Sequence, residues 1–288
     1  MASRIYRSPL RYPGGKGCIF DFMSHFLVEN EIVGINYAEP FAGGAGLALR
    51  LLMEEFVGEV FINDLDPSVY AFWKVVLNDP GSICDWIDKV EVSVNNWNYY
   101  KDIQRNYWTA DITELAKSTL FLNRTNVSGV IKGGVIGGKN QEGKYKMDAR
   151  FNKRELIERI KEIEKFAHRI HVSNLDGRFF VSIMDGNRLD CLTYLDPPYY
   201  KKGSFLYMNS FNDSDHESIL HLIKALKMYW IISYDNADFI LNLFKEEPKV
   251  QYRLSQCTSN RIGDEIIVYD NRLTLNESLK YLSNPVVL

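Results

Sequence analysis

The sequence predicts an α/β fold in which ligands bind at the carboxyl ends of parallel strands. Three observations support this prediction. A short apolar run at residues 35–38 leads into a glycine-rich turn and a helical stretch, the layout of a nucleotide-binding strand–turn–helix unit. A second apolar run at residues 191–195 ends at two prolines, which cannot continue a sheet ladder. From about residue 169 onward, short apolar runs alternate again with helical patterns.

The glycine-rich turn predicts a nucleotide site. It reads Glu39-Pro40-Phe41-Ala42-Gly43-Gly44-Ala45-Gly46 and precedes a helix predicted over residues 47–56. Glycines let the backbone approach a ligand closely, and a helix N-terminus offers free N–H groups to negative charge. The next predicted strand, residues 59–63, ends at Asp64. That acid lies roughly 20 residues beyond the turn, as expected of a carboxylate that binds ribose hydroxyls. A nicotinamide dinucleotide would also fit this spacing.

The end of the strand at residues 191–195 predicts a site for a flat ring that carries an amine. The strand should stop at Asp196, where Pro197 and Pro198 form a stiff turn before Tyr199. The carboxylate and a backbone carbonyl can accept hydrogen bonds from an exocyclic amine, while the ring stacks on the tyrosine. Hydride transfer needs no such strand end, which counts against a nicotinamide cofactor.

These segments together resemble a known enzyme family. Asp196-Pro197-Pro198-Tyr199 resembles motif IV of the amino-group DNA methyltransferases that modify adenine N6. The glycine turn and Asp64 resemble their S-adenosylmethionine-binding motifs I and II, and residues 10–16 resemble motif X of the Dam-like (D12 class, α-group) adenine methyltransferases. The order X, I, a long middle region and IV is that of the α group. The resemblance implies a Rossmann-like S-adenosylmethionine-dependent methyltransferase fold with a mostly helical target-recognition insertion that carries a β-hairpin.

The chain is predicted to contain a catalytic domain, residues 1–70 and 169–288, interrupted by a DNA-binding insertion at residues 71–168. Aromatic-rich segments of the insertion, residues 97–108 and 112–123, are predicted to be helical. The glycine-rich segment 127–139 follows, with Val-Ile pairs flanked by Gly-Gly. We expect it to form a small, extended, protruding hairpin, which would not be stable alone.

The resemblance also implies the residues of the site. The catalytic residues would be Asp196, Pro197, Pro198 and Tyr199. S-adenosylmethionine would contact Tyr12, Gly14, Lys16, Glu39, Phe41, Gly43, Gly44, Asp64, Asp176 and Asp196. Asp176 follows a short predicted strand and resembles the acid of motif III beside the cofactor's adenine, although a helix-capping or turn aspartate is an alternative.

Contacts to DNA are implied in the same way. In the Dam-like family an Asn-Arg segment opens the hairpin that enters DNA. Lys132 stands where Dam carries a base-reading arginine, and Val127 stands where Dam has an intercalating tyrosine, so the recognition sequence is left open. The residues predicted to contact DNA are Arg11, Arg124, Asn126, Ser128, Lys132 and Lys139.

The charge distribution is compatible with a nucleic-acid partner, although the formal net charge is −3. Residues 124–169 contain roughly 12 Lys or Arg against 6 Asp or Glu, and the first 17 residues contain four cations and no acid. A solvated mixed-charge helix over residues 153–169, with one apolar stripe, is the alternative for part of this surplus. We therefore expect double-stranded DNA as a partner, with a cognate endonuclease left open.

Composition excludes several other classes. The four cysteines are scattered and show no metal-ligand spacing, so no metal site is predicted. No run is apolar enough to span a bilayer, and the first residues lack the apolar region of a signal peptide. We therefore expect a cytoplasmic protein of a prokaryote or virus, associated with the nucleoid.

Three other functions stay open at this stage. Enzymes that methylate RNA or a protein amide usually carry Asn in place of Asp196, and cytosine-N4 enzymes more often carry Ser. A non-catalytic DNA-binding regulator could keep the same fold.

Two features of the C-terminal part complete the predictions. Ser214 to Glu217 are predicted to form a capping box, with His216 at the surface or in the cap. Residues 259–265 match a C-terminal motif of the family.

Overall fold

An eight-stranded mixed sheet organises the chain in the computed structural model, which describes residues 8–12, 15–187, 190–200, 211–256 and 261–288. The strand order is β3-β2-β1-β4-β5-β7-β6-β8. Strands β1 to β5 pair in parallel, and β7 is antiparallel to both β5 and β6. The strands are β1 Asn36–Glu39, β2 Val60–Asn63, β3 Ile170–Ser173, β4 Cys191–Leu195, β5 Tyr229–Asp235, β6 Lys249–Gln256, β7 Arg261–Tyr269 and β8 Val286–Val287.

The order of the strands creates the crevice that holds the site. Strand β1 lies between β2 and β4, so the chain leaves β1 toward one edge of the sheet and returns to the other side at β4. Ligands of open α/β sheets bind at such a switch point, outside the carboxyl ends of the strands. All residues of β2 and β4 are buried, as expected for parallel strands covered on both faces. The α/β prediction is confirmed.

Helices cover both faces of the sheet, and five of them lie in the part of the sequence that connects β2 to β3. The helices are α1 Phe20–Glu29, α2 Gly46–Met53, α3 Pro67–Asn78, α4 Pro80–Lys89, α5 Val94–Arg105, α6 Ile112–Thr125, α7 Lys153–Glu164, α8 Gly177–Asn187, α9 Asp213–Ala225 and α10 Asp238–Leu243. Helix α2 ends at Met53, three residues before the predicted end, because Glu55 adopts a positive φ of 60° and turns the chain toward β2. In the described part of the chain, no helix is long and apolar enough to cross a membrane.

The layer from α3 to α7 has its own apolar contacts. Helix α6 packs against α3 and α5, and α4 packs against α7. At the end of α6 the Asn123 side chain accepts a hydrogen bond from the Arg11 amide at 2.7 Å and donates to the Arg11 carbonyl at 2.7 Å and to the Gly129 carbonyl at 2.9 Å. Asn123 thus joins the N-terminal segment 8–12 to the loop that follows α6. The division into domains at residues 70 and 169 stays a prediction.

The loop after α6 corrects the predicted hairpin. In the described residues its two arms share one isolated antiparallel bridge, Asn126 to Val135, and no ladder. Residues 127–129 form a 3₁₀ turn in which Ser128 and Gly129 have positive φ values of 58° and 79°, so this arm cannot extend. Gly129 is buried against the backbone of Arg11, where a Cβ atom would lie 2.5 Å from a carbonyl oxygen. The loop therefore packs on the N-terminal segment at Gly129, and the prediction of an extended, protruding hairpin is wrong for residues 127–129.

The N-terminus of α9 gives a second correction. The capping box consists of Asn212 and Asp215, two residues before the predicted pair, because the Asn212 side chain accepts the Asp215 amide and Asp215 accepts the Asn212 amide. His216 is fully buried rather than at the surface, and its Nδ1 lies 3.0 Å from the Tyr234 hydroxyl.

Asn126 provides a test of what holds the loop. It is fully buried; its Oδ1 accepts the Trp97 indole N–H at 2.7 Å, and its Nδ2 donates to the carbonyls of Val130 and Ile131, each at 2.9 Å. Asn126→Ala leaves these groups without partners, so we expect the free energy of unfolding to fall by about 1–3 kcal/mol. Urea unfolding measures this loss. The exposed Asn140→Ala is the control, and equal stability of the two variants would contradict the assignment.

Candidate active site

A cavity of about 810 Å³ opens at the carboxyl ends of β1, β2 and β4. Its floor is the glycine turn after β1, and its opposite wall comes from α5 and loop residues 129–134. Four acids that follow or end these strands line it: Glu39, Asp64, Asp66 and Asp196. The structure therefore brings together acidic residues that lie up to 157 positions apart in the sequence.

The glycine turn is shaped by an aromatic ring. Gly43 has a positive φ of 48°, and a Cβ atom there would lie 2.7 Å from the Tyr12 ring. A Cβ on Gly44 would come within 3.2 Å of the Tyr12 Cβ. Glycine is thus required at Gly43 both for its backbone conformation and because the ring lies directly on the turn. Of the predicted neighbours, Gly14 lies outside the described residues.

Asp64 ties the turn to the end of β2. Its Oδ2 accepts the Gly43 amide at 2.8 Å, and its Oδ1 accepts the Asp66 amide at 2.9 Å. Burial raises the pKa of Asp64 to about 7, against the hydrogen bonds that lower it. Trp73 donates its indole N–H to the Gly43 carbonyl at 2.9 Å and fixes the turn from the other side. The predicted contact of Asp64 with ribose stays a prediction.

Glu39 and Phe41 line the same floor. Glu39 Oε1 accepts the Ala48 amide at 3.0 Å in the first turn of α2, and burial raises the pKa of this carboxyl to about 8. Phe41 lies on Gly177 so closely that a Cβ there would be 2.7 Å from the ring. Asp176, by contrast, accepts the Arg178 amide at 2.9 Å and pairs with the Arg178 guanidinium at 3.1 Å. This geometry is the helix-capping alternative, and Asp176 does not line the cavity.

Asp196 belongs to a buried cluster of charges. The Lys16 ammonium, whose side chain is 4% exposed, lies 3.2 Å from Asp196 Oδ1 and 3.0 Å from Glu265 Oε2. Ser233 donates to the same Oδ1 at 2.9 Å. Burial raises the pKa of Asp196 to about 6, while the charge of Lys16 limits the rise. Burial also acts to lower the pKa of Lys16, but the two carboxylates outweigh it and raise that pKa.

Tyr199 is held by the same cluster. Its hydroxyl donates to Glu265 Oε1 at 2.7 Å and accepts a hydrogen bond from Lys16. Pro198 lines the cavity, whereas Tyr199 is 8% exposed and lies behind it. Its predicted stacking on a target base stays a prediction, as does a direct contact of Lys16 with the cofactor.

Two of the predicted DNA contacts are internal in this structure. Arg124 is buried, and its guanidinium donates to the carbonyls of Pro9 and Ser8. Burial, followed by the charges of Arg159 and Arg11, lowers the Arg124 pKa to about 9. Arg124 therefore binds the N-terminal segment, and Asn126 organises the loop as described above. The polar atoms of both side chains are bonded inside the protein, and their contacts with DNA stay predictions.

The other predicted DNA contacts lie nearer the surface. Lys132 is exposed and lines the cavity, Lys139 is exposed, and Ser128 and Arg11 are half-buried. Burial raises the pKa of Asp66, and the nearby charge of Lys132 acts against that rise. The Lys139 ammonium lies 5.8 Å from the centroid of the Trp97 ring. Their contacts with DNA stay predictions.

The structure adds residues that the sequence did not single out. Helix α5 contributes Trp97, Lys101, Gln104 and Arg105 to the cavity wall, and Tyr107 follows it. Lys101 donates to the Ile131 carbonyl at 3.1 Å and so connects α5 to the loop. Glu265 was predicted only as part of a C-terminal motif, and its one signal in the sequence was an acid directly before an apolar strand. No group of three metal-ligating side chains occurs in the described ranges.

Comparison with known proteins agrees with this geometry. The family model described as D12 class N6 adenine-specific DNA methyltransferase matches residues 12–256. No curated protein matches the chain. Among solved structures, the chain is similar to a conserved hypothetical protein from Streptococcus pyogenes, with 10% sequence identity and a TM-score of 0.35. The similarity covers 84% of this chain and 90% of that one. The family match spans the glycine turn, Asp64 and Asp196. The chain therefore belongs to the D12 class of N6 adenine-specific DNA methyltransferases.

Proposed function

We propose that the chain transfers a methyl group from S-adenosylmethionine to adenine N6 in double-stranded DNA. The observation that carries this proposal is the position of Asp196, at the end of β4 and at the wall of the same cavity as the glycine turn. Family membership establishes adenine-specific DNA methylation, and the identity of the donor and the duplex form of the substrate are proposed here.

The residues of the cavity fit S-adenosylmethionine. When bound, this cofactor supplies an activated methyl group on a positively charged sulfonium. Four acids line the cavity, Glu39, Asp64, Asp66 and Asp196, and the negative charge of those that are ionised favours a cationic ligand. The glycine turn leaves room for a ligand beside the backbone, and Phe41 and Leu65 offer apolar surface to a flat ring. Glu39, Asp64 and the turn would hold the cofactor.

Asp196 would then act on the target amine. Adenine N6 is a poor nucleophile because its lone pair is delocalised into the ring. Hydrogen bonds from its two N–H groups to the Asp196 carboxylate and the Pro197 carbonyl would favour a tetrahedral nitrogen and expose the lone pair. Positioning and the fixed dipoles of the site would supply most of the rate enhancement.

A duplex substrate requires that the base leave the helix. Extrusion costs a few kcal/mol, which stacking on Tyr199 would offset in part. Cationic side chains at the cavity wall, Lys101, Arg105 and Lys132, would attract the phosphate backbone. Methylation of RNA or of cytosine N4 and a regulator without activity are the alternatives to be tested. A cytoplasmic, nucleoid-associated location and a cognate endonuclease remain predictions.

The first test concerns the reaction. We expect nucleoside analysis of duplex DNA treated with the protein and S-adenosylmethionine to show N6-methyladenine. Asp196→Ala should abolish turnover because it removes the acceptor of the target amine, while cofactor affinity measured by calorimetry changes by less than about tenfold. Only N4-methylcytosine, or methyl transfer to RNA alone, would contradict the proposal.

The second test concerns the cofactor. Asp64→Ala removes the carboxylate assigned to ribose and releases the Gly43 amide, so we expect it to weaken cofactor binding before it affects the chemical step. Calorimetry with S-adenosylhomocysteine measures the affinity. Asp79→Ala, which removes an exposed aspartate that caps α4, is the control. Equal affinity in both variants would remove Asp64 from the cofactor site.

The third test concerns sequence recognition. Lys132 is exposed at the cavity wall, and its position matches a base-reading residue of the family. Lys132→Ala should reduce discrimination at one base pair by about 1–3 kcal/mol, whereas Lys139→Ala should weaken all DNA alike and reduce the salt dependence. Methylation rates on duplexes with single base-pair changes, at fixed salt, distinguish these effects. If Lys132→Ala lowers every rate by one common factor, Lys132 contacts phosphate only.

A further inference from the structure

The charged cluster behind Asp196 contains an acid that the proposed mechanism does not use. Glu265 lies on β7, where it stands opposite Asp235 of β5 and Tyr252 of β6 in the sheet register. The residue as a whole is buried. An unpaired buried carboxylate is costly, so a buried acid at this depth must be compensated by its surroundings. Its partners show what it is placed to do.

Glu265 is bound by three donors. Its Oε2 accepts Lys16 at 3.0 Å and the Tyr252 hydroxyl at 2.8 Å, and its Oε1 accepts the Tyr199 hydroxyl at 2.7 Å. Lys16 also donates to the Tyr199 hydroxyl, so Lys16, Tyr199 and Glu265 form a closed ring of hydrogen bonds. The third donor position of the ammonium is directed to Asp196.

The arrangement fixes both the orientation and the charge of Asp196. Within the described residues, Lys16 and Ser233 both contact its Oδ1, which leaves Oδ2 for a target amine. Two carboxylates share one ammonium, so the cluster has an excess negative charge. The exposed fraction of the side chain is 4% for Lys16, 2% for Glu265 and 20% for Asp196. Because Asp196 is the most exposed of the three, the excess negative charge faces the cavity there.

We infer that Glu265 is a positioning residue for methyl transfer, which holds Lys16 and Tyr199 in place and keeps Asp196 an effective hydrogen-bond acceptor. The inference rests on the proposed role of Asp196. Without the charge of Glu265, Lys16 would pair with Asp196 alone and would neutralise the acceptor. With Glu265 present, the ammonium is shared between two carboxylates, so the ionised Asp196 presents a less compensated negative charge to the amine.

Other titratable groups near Asp196 do not replace Glu265. Burial raises the pKa of Glu39 to about 8, so this acid on β1 is largely neutral at pH 7. Burial raises the pKa values of the surrounding tyrosines well above their ordinary value, and these are Tyr37, Tyr194, Tyr199, Tyr234 and Tyr252. Asp235, at the end of β5, accepts the Tyr200 amide. Lys16 and Glu265 are thus the charged groups that act most directly on Asp196.

The test is the pH dependence of single-turnover methylation. The wild-type rate should fall as the pH decreases through about 6, where Asp196 becomes protonated. In Glu265→Gln, loss of a negative neighbour lowers the Asp196 pKa. The fall in rate on the acidic side of the pH profile, its acid limb, should therefore move to a pH about one unit lower. The rate at pH 8 should fall about tenfold because Lys16 now neutralises the acceptor, with cofactor affinity unchanged. In Lys16→Met the acid limb should move in the opposite direction.

Two further variants separate charge from shape. Glu265→Asp keeps the charge but shortens the side chain, so the rate should fall without a displaced acid limb. Asp264→Asn changes the adjacent acid, 45% exposed and paired with Arg253, and should behave as wild type. Circular dichroism gives the folded fraction of each variant. An acid limb of Glu265→Gln that coincides with the wild-type limb would overturn the inference.

A measurement without turnover makes the result independent of the proposed reaction. In protein labelled with ¹³Cγ-aspartate, the Asp196 resonance, assigned by its loss in Asp196→Asn, should titrate near pH 6 in the wild type and lower in Glu265→Gln. Equal midpoints would refute the electrostatic link. If the wild type methylates no DNA at any pH, the proposed function fails, and this titration still decides the role of Glu265.

Discussion

The site depends on one buried cation. Lys16 lies between the carboxylates of Asp196 and Glu265, and each of these comes from a different strand of the sheet. Placing two acids this deep is favourable only if a cation and hydrogen-bond donors compensate for the lost hydration. The cation comes from the short 3₁₀ turn Lys16–Ile19, far from both acids in sequence. The N-terminal part of the chain is therefore an integral part of the charged cluster at the carboxyl end of β4.

A second constraint is the close packing at the glycine turn. Tyr12 lies on Gly43 and Gly44, while Asp64 and Trp73 bind the Gly43 backbone from β2 and α3. Any side chain at Gly43 would displace the ring and strain the backbone. Tyr12 and Lys16 are four positions apart in the sequence, so one short stretch of chain contacts both the glycine turn at the floor of the cavity and the charged cluster behind Asp196.

The sequence predicted much of the parallel part of the sheet because strands and turns leave local signals, but it gave no prediction of β6 or β8. Strand β4 was located to the residue, since Pro197 and Pro198 must end it, which also placed Asp196 at its end. Asp64 was predicted from its spacing to the glycine turn. The loop at residues 126–135 was misjudged because its conformation depends on Asn126, whose partners come from α5 and from the loop's own carbonyls. The burial of Arg124 could not be predicted for the same reason, because burial is a tertiary property. Glu265 could not be recognised because its role requires contacts with Lys16 and Tyr199 across the sheet.

The bridge made by Asn123 has a consequence for how such an enzyme can acquire a new target sequence. One side chain bonds the backbone of Arg11 and the carbonyl of Gly129, and Gly129 itself has no room for a side chain against Arg11. A loop transplanted from a relative into this position would therefore have to fit closely against the N-terminal segment of its new host. Loop and segment should be inherited, exchanged or engineered as a pair, because a poor fit between Gly129 and Arg11 would displace the neighbouring residues Tyr12 and Lys16.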